Sequence, residues 1–404
     1  MTLPIRTLLF STLYPSSVRP VHGIFVETRL RELLRTGGVQ TKVVAPVPWF
    51  PSVHPRFGDY ARMAATPRRE SHNGVDVLYP RYPLIPKFGM TAAPLLLAAA
   101  SVRPIRRLID EGFDFDVIDA HYYYPDGVAA ALLARHFGKP LTITARGTDL
   151  NLIPAHALPR RMMQWAAGHA DASIGVCNAL VDVLRGWGVP EPKLHVMRNG
   201  VDLQRFKPVP PAEARARLGM AADQPMLLSV GHLIERKGHH LAVAAMPALL
   251  KRFAGAQLLI VGEGEERARL QQQIAALGLE RSVRLVGAIA NFELATWYSA
   301  ADALILASSR EGWANVLLEA MACGTPVLAT RIWGTPEVVA NDSVGLLVDT
   351  REGEALAAAA LQLLNQPRDR AQVRRYAEGF GWEWTSKAQL GLFKRLVPNG
   401  RGAR

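Results

Sequence analysis

Two carboxylates eight positions apart, Glu311 and Glu319, lie in the run SSREGWANVLLEAMACGTPVLAT, residues 308–330. A strand-like segment leads into it. A helix is predicted from about Ala314 or Asn315 to Gly324, with Pro326 ahead of the next strand. The first turn of such a helix offers backbone N–H groups and a positive dipole end, which suits a diphosphate or the sugar attached to it. Ionised carboxylates only accept hydrogen bonds. Glu311 in the loop and Glu319 on the helix therefore suit the vicinal hydroxyls of a sugar or a ribose.

Two adjacent cations form the second candidate. In SVGHLIERKGHH, residues 229–240, a strand ending at Gly231 is followed by a short loop carrying Arg236 and Lys237. Cations at the carboxyl end of a strand can neutralise a diphosphate leaving group. Alone, the triplet reads more readily as a solvated loop; its place two strand–helix units before the Glu311 loop favours a shared ligand. In the first half, DAHYYYPDG puts His121 directly after a strand, and TARGTD puts Arg146 and Asp149 after another. Taken alone, His121 reads first as a structural histidine beside tyrosines. Gly23, ahead of the first helix, would let a ligand approach the backbone closely.

Other patterns lack the residues their chemistry needs. In VGEGEER, Arg267 stands where the third glycine of a dinucleotide fingerprint belongs. Asp114 and Asp116 imitate a DxD metal site but flank a strand. No His/Cys cluster has zinc spacing, and no GxxxxGK[ST] loop is present. Neither a metal nor a cofactor is expected.

The elements that must hold these residues alternate between short apolar runs and helices, the grammar of parallel α/β sheets. Strands are expected at 7–13, 41–45, 117–120, 141–145 and 172–176, then at 226–230, 257–261, 283–286, 303–307, 327–330 and 345–348. Helices are expected at 25–35 and 126–136, then near 239–252, 264–277 and 315–322. A turn- and proline-rich segment, VMRNGVDLQRFKPVPP, separates the two sets. Two Rossmann-like domains facing a cleft are the simplest arrangement, at 1–200 and 201–383. Residues 46–69 read as one long irregular stretch, and 398–404 as a disordered tail.

The 404 residues are 49% apolar and 20% charged, which suits large cores and excludes extended disorder. Two cysteines, Cys177 and Cys323, exclude a disulfide framework, so a reducing, cytoplasmic setting is expected. The opening residues lack the pattern of a signal peptide. The longest apolar run, 91–102, falls short of the ~20 residues of a spanning helix. The net charge is +12. Between residues 56 and 107, Arg56, Arg62, Arg68, Arg69, Arg81, Lys87, Arg103, Arg106 and Arg107 face only Asp59, Glu70 and Asp76. A solvated face accounts for this equally well. Functionally, the patch suits an anionic membrane surface better than nucleic acid, because no aromatic residues are interleaved for base stacking. Run 91–102 is a candidate interfacial segment.

Taken together, these motifs resemble those of the family 4 retaining glycosyltransferases of the GT-B fold, over nearly the whole chain. Glu311 to Glu319 matches the family's E-x7-E motif. GHLIERKG resembles its GRLxxxKG phosphate loop, RNGVDLQRF its interdomain NGVD-x-x-x-F segment, and GTPEVV its GGxPEVV. FGWEW looks like the FSW motif opening the last helix, which in this fold crosses back onto the N-terminal domain, here at about 384–397. The opening looks closest to bacterial members that build exopolysaccharide or teichuronic-acid-like polymers. The resemblance implies that Arg236 and Lys237 bind the donor diphosphate and that Glu319 holds the nucleotide ribose. It assigns Glu311, with the backbone of Gly312, Trp313 and Ala314 near Asn315, to the transferred sugar. His121 would lie beside the reacting face of that sugar, and Gly23 near the diphosphate or acceptor. Two positions depart from the pattern: His232 replaces an arginine in the phosphate loop, and Arg146 replaces the histidine of TxHGxD.

The implied reaction is metal-independent transfer from a nucleotide sugar, a co-substrate rather than a cofactor. The acceptor would be polyprenyl-diphosphate-linked or an oligosaccharide. A nucleotide-sugar epimerase of the same fold, and a binding partner without transferase activity, are the competing readings.

Overall fold

The computed structural model describes residues 3–83 and 89–397. Lys87 of the basic run and the tail from 398 lie outside the described residues. The chain divides into two units, one made of residues up to Arg198 together with those from Glu383 onward, the other of Asn199–Trp382.

The first unit contains β1 (Ile5–Phe10), β2 (Val39–Val44), β3 (Val47–Trp49), β4 (Arg69–His72), β5 (Val75–Leu78), β6 (Arg81–Pro83), β7 (Val117–His121), β8 (Leu141–Ala145), β9 (Ala172–Gly175) and β10 (Leu194–Val196). Its helices are α1 (Ile24–Leu34), α2 (Asp59–Ala65), α3 (Gly89–Asp110), α4 (Val128–Phe137), α5 (Thr148–Asn151), α6 (Ala157–His169) and α7 (Asn178–Gly186). The sheet order is β10-β9-β8-β7-β1-β2-β5-β4. All neighbours are parallel except β4, an antiparallel edge on β5. β3 and β6 form a separate two-stranded ribbon. Central strands such as β7 and β8 are buried at every position, as expected of a parallel sheet covered on both faces.

The second unit contains α8 (Pro211–Arg217), β11 (Met226–Val230), α9 (His239–Arg252), β12 (Gln257–Val261), α10 (Arg267–Ala276), β13 (Val283–Gly287), α11 (Leu294–Ala300), β14 (Ala303–Leu306) and α12 (Asn315–Ala322). β15 (Val327–Thr330), α13 (Thr335–Val338), β16 (Gly345–Val348), α14 (Gly353–Asn365) and α15 (Arg370–Glu378) complete it. Its sheet, β13-β12-β11-β14-β15-β16, is parallel throughout. Leu227, Leu258, Ile260, Ile305 and Leu328 face a core closed by Val243, Met246 and Leu249 of α9 and Leu356 and Ala360 of α14.

The last helix, α16 (Trp382–Leu396), packs in the first unit. Leu392 joins Ala172, Ile174 and Met197, and Phe393 joins Leu33, Val39 and Val117. Thr385 Oγ1 donates to the Arg198 carbonyl at 2.6 Å.

Two expectations need correction. Residues 46–69 are not one irregular stretch: they hold β3, a short 3-10 turn and α2, organised by Phe50 packed on Phe57 and Tyr60 at 5.2 Å each. The strand expected at 7–13 ends at Phe10, because Ser11 and Thr12 turn out of the sheet to reach Asp126. Run 91–102 belongs to a 22-residue helix, α3, whose Leu97, Ala98 and Ser101 are buried.

Candidate functional site

In the second sheet the strand order reverses between β11 and β14. Open parallel sheets bind ligands outside the carboxyl ends of their strands at such a switch point. The Arg236–Lys237 loop follows β11 and the Glu311 loop follows β14, so the fold delivers both to that place.

The backbone fixes the two loops to each other. Ser309 N–H donates to the Arg236 carbonyl at 2.9 Å. Arg351 donates Nε to the Ala307 carbonyl at 2.8 Å and Nη2 to the Glu235 carbonyl at 2.7 Å. Gly238, in the left-handed region at φ +72, begins α9 so close to β14 that a Cβ there would stand 2.1 Å from the Ala307 oxygen. No other residue type fits that position without displacing the loop.

On this frame three side chains converge on one oxygen. Lys237 Nζ and Ser308 Oγ each donate to Glu311 Oε1 at 2.7 Å. Arg236 donates mainly to the Arg310 carbonyl at 2.7 Å, with its Nη1 3.5 Å from the same Glu311 oxygen. Burial would raise the Glu311 pKa; the Lys237 ammonium, Arg236 and the Ser308 hydroxyl outweigh it and hold the carboxyl below its usual value. Two cations against one carboxylate leave a net positive charge at the switch point. Among the described residues no hydrogen bond reaches Glu311 Oε2.

Gly312, Trp313 and Ala314 are buried and lead into α12, whose first residue, Asn315, accepts from Asn199 Nδ2 at 3.3 Å. Glu319, one turn further, is half-buried and takes the Tyr298 hydroxyl on Oε2 at 2.8 Å. Burial raises its pKa. His232 is exposed, and among the described residues its carbonyl is engaged by His239 Nε2 at 3.2 Å and by Ile234 N–H. Its imidazole is not drawn into the Lys237 cluster.

The first sheet reverses its order between β1 and β7. Asp126, after β7, accepts the Thr12 N–H at 2.9 Å and the Thr12 hydroxyl at 3.0 Å, tying down the loop after β1. Burial pushes the Asp126 pKa up to about 7. His121 is the last residue of β7 rather than the first beyond it, and it is buried. The Arg146 guanidinium meets His121 Nδ1. A guanidinium can only donate, so Nδ1 accepts, Nε2 carries the proton, and Nε2–H donates to Asp119 Oδ2 at 3.2 Å. Burial pushes the His121 pKa down to about 4, with the Arg146 cation adding to the effect against the opposing Asp119. This histidine is a neutral ring with both nitrogens engaged.

Behind it lies a network. Asp119 accepts from Thr142 Oγ1 at 2.9 Å and from Gln389 Nε2 of α16 at 2.9 Å. Gln389 Oε1 accepts from the buried Arg29 Nε at 2.9 Å, and Arg29 Nη1 donates to the Met197 carbonyl at 3.0 Å. Asp149 is buried and serves the backbone, accepting the N–H groups of Tyr123, Arg146 and Gly147 at 2.8, 3.0 and 2.7 Å. Gly23 has a reason in the chain itself: at φ +68 its absent Cβ would fall 2.2 Å from the Leu13 carbonyl carbon.

Sequence reasoning passed over Arg29, Asp119, Asp126, Ser308, Tyr298 and Gln389. Asp119 carries a usable signal, an acid inside the otherwise apolar strand VIDAH. Gln389 and Arg29 carry none, because their meaning lies in a contact 360 positions long. Asp114 accepts from Lys139 Nζ at 2.6 Å and Asp116 from the Arg6 N–H at 2.8 Å. Among the described residues no three His, Cys, Asp or Glu side chains cluster to hold a metal ion.

With this geometry in view, residues 25–205 match Glycosyltransferase Family 4 and residues 212–380 match the glycosyl transferases group 1. A D-inositol 3-phosphate glycosyltransferase of Frankia alni is 33% identical over 70% of this chain and 75% of its own. The chain belongs to the group 1 and family 4 glycosyltransferases. A putative teichuronic acid biosynthesis glycosyltransferase of Bacillus subtilis, TuaC, is 27% identical over 88% of both chains. Among solved structures, a sucrose-phosphate synthase of Thermosynechococcus elongatus superimposes with a TM-score of 0.80 at 24% identity, over 98% of this chain and 99% of that one. This glycosyltransferase therefore has the GT-B fold. Among the described residues none of its helices is long and apolar enough to cross a membrane.

Proposed function

We propose that this glycosyltransferase moves a sugar from a UDP- or GDP-sugar, without a metal and with retention at the anomeric carbon. The acceptor is lipid-linked or a saccharide, in the synthesis of a cell-surface polysaccharide at an anionic membrane surface. The observation that carries the reading is the Lys237–Glu311–Arg236 cluster at the switch point of the second sheet.

Breaking the anomeric C–O bond puts positive charge on the sugar and negative charge on the departing diphosphate. Stabilising developing charge is usually the largest catalytic contribution. Lys237, Arg236 and the amino end of α12 supply fixed positive charge where the diphosphate leaves. Glu311 Oε2 and Glu319 accept from the sugar and the ribose. Retention is read as front-face attack, in which the leaving phosphate takes the acceptor's proton. No protein nucleophile is assigned: Glu311 Oε2 is read as an acceptor for the sugar, and both nitrogens of His121 are engaged. His121 is not read as exchanging a proton. The polysaccharide setting is supported by the likeness to TuaC.

The test is a thermal-shift and hydrolysis panel against UDP-, GDP- and dTDP-sugars, with and without EDTA, repeated on Lys237→Ala and Glu311→Ala. A donor at 100 times its Kd stabilises the folded protein by about 2.7 kcal/mol. One donor should stabilise the wild type in EDTA, and both variants should lose the effect. The anomer of the transferred sugar, read by NMR, settles retention. Failure of every nucleotide sugar to bind overturns the reading.

A further inference from the structure

α3, α4 and α6 pack against one another, and α4 packs on β7 and β8 of the first sheet. Between them runs a groove of about 290 Å³ whose walls include Leu95, Val128, Leu132, Met162 and Trp165, with Arg161 at its edge. The apolar surface continues outside it: Leu95 is 56% and Leu158 47% exposed. Leucines this exposed beside an open apolar groove form the kind of patch that marks an interaction surface.

The three helices that form the groove carry mostly positive charge. α4 and α6 contain no acidic residue, and α3 contains only Asp110. Arg103, Arg106 and Arg107 of α3, Arg135 of α4, and Arg160 and Arg161 of α6 are all exposed. Among the described residues no carboxylate pairs with any of them. The other half of the basic run is different. Arg69 is bound by Asp76 and Glu111, Arg62 by Asp59, and Arg81 by the carbonyls of Met63, Ala64 and Thr66. Arg56 and Arg68 stay exposed without a carboxylate partner among the described residues, so 56–81 keeps two such cations against six on the helical face.

We propose that this groove seats a hydrocarbon chain of an anionic lipid bilayer, with the six arginines meeting the headgroups. An apolar slot lined by Arg161, between helices that carry five further exposed arginines, complements a leaflet, whose chains and phosphates lie at successive depths. Trp165, half-buried with Arg135 stacked 5.9 Å from its ring, suits the boundary between them. The surface also adjoins the segment that carries His121. Tyr124, three residues on, donates its hydroxyl to Met162 Sδ at 3.9 Å on the groove wall. Docking here holds the first unit against the leaflet from which a lipid-linked acceptor would be drawn. The proposal rests on the lipid-linked reading of the acceptor, but its test uses no turnover, so the two fail separately.

The experiment is flotation of the full chain with phosphatidylcholine vesicles and with vesicles containing phosphatidylglycerol, at low and high salt. Binding is expected only with phosphatidylglycerol. It should weaken at least about tenfold in Arg160→Glu/Arg161→Glu and in Leu95→Glu, and persist in Arg62→Glu/Arg68→Glu. Leu95 is exposed enough for its substitution to leave folding intact, which far-UV circular dichroism checks. Brominated acyl chains should quench a part of the fluorescence that disappears in Trp165→Phe. The proposal is overturned by no binding at low salt, or by binding lost in the Arg62/Arg68 variant and kept in the helical ones. A concentration-dependent dimer abolished by Leu95→Glu would overturn it too, since a second copy then covers the groove.

Discussion

Lys237 Nζ and Glu311 Oε1, 74 residues apart in sequence, are 2.7 Å apart in space. The pair is nearly enclosed, with 15% and 9% of the side chains exposed. Glu311 thus orients the ammonium and moderates its charge before any ligand arrives. On the proposed reading, an incoming diphosphate finds a cation already in position.

Replacing Lys237 by Ala should cost stability as well as activity. A buried carboxylate stripped of its main partner destabilises by ~3 kcal/mol, read as a fall in the urea midpoint. Glu311→Gln keeps the volume and the Ser308 hydrogen bond. It should retain most of the stability while transfer falls about a hundredfold. Because the folded Glu311 pKa lies below its unfolded value, its stabilisation is present above the ordinary carboxylate range. It is lost as pH falls through the folded value. Lys237→Ala should flatten that part of the stability–pH curve.

Two buried histidines predict a second pH effect. Burial brings His121 and His239 down to about 4 in the folded chain, against an ordinary 6.5. Between pH 6.5 and about 4 the unfolded chain binds more protons, so stability falls as pH falls through that window. Arg146→Gln removes a cation that opposes His121 protonation. It should raise the His121 pKa, followed by NMR of the ring protons. An unchanged titration would show that Arg146 does not set the state of the ring.

Gly238→Ala tests the frame rather than the charges. The added methyl meets the Ala307 oxygen, and φ +72 is strained for alanine. The expected result is a melting temperature lower by several degrees, the effect of ~1–3 kcal/mol. Weaker binding of any nucleotide sugar should accompany it, since the Arg236–Lys237 loop must shift.

Gln389→Ala strips a donor from Asp119 and an acceptor from Arg29, both buried. Leaving such groups unsatisfied costs about 1–3 kcal/mol each. The loss should appear in chemical denaturation, whereas nucleotide affinity at the Lys237 cluster should be unchanged.

The parallel sheets were legible because their strands are continuous apolar runs closed by Gly, Pro and polar turns. The spans read for β11, β12, β15, β16, α9 and α12 coincide with those observed. Residues 46–69 were not legible, since β3 and α2 are too short for periodicity and depend on Phe50, Phe57 and Tyr60 finding one another. Motif spacing brought Arg236, Lys237, Glu311 and Glu319 forward as candidates. That Glu311 would face Lys237, that Tyr298 would reach Glu319, and that Arg146 would fix the tautomer of His121 were contacts no spacing announces. Polar networks between distant segments leave no period in the chain.

α16 contributes Gln389, Leu392 and Phe393 to a unit whose other residues end at Arg198. On the ribosome, synthesis proceeds from the amino end, so the sheet of the first unit emerges long before the helix that completes its polar core. At ~5–20 residues per second, the intervening 184 residues of the second unit, Asn199–Trp382, delay that step by roughly ten seconds or more. Through this interval Asp119 and Arg29 lack Gln389, and Leu33 and Ile174 lack their apolar cover. The nascent chain should therefore be most sensitive to chaperone depletion while its second half is still being made.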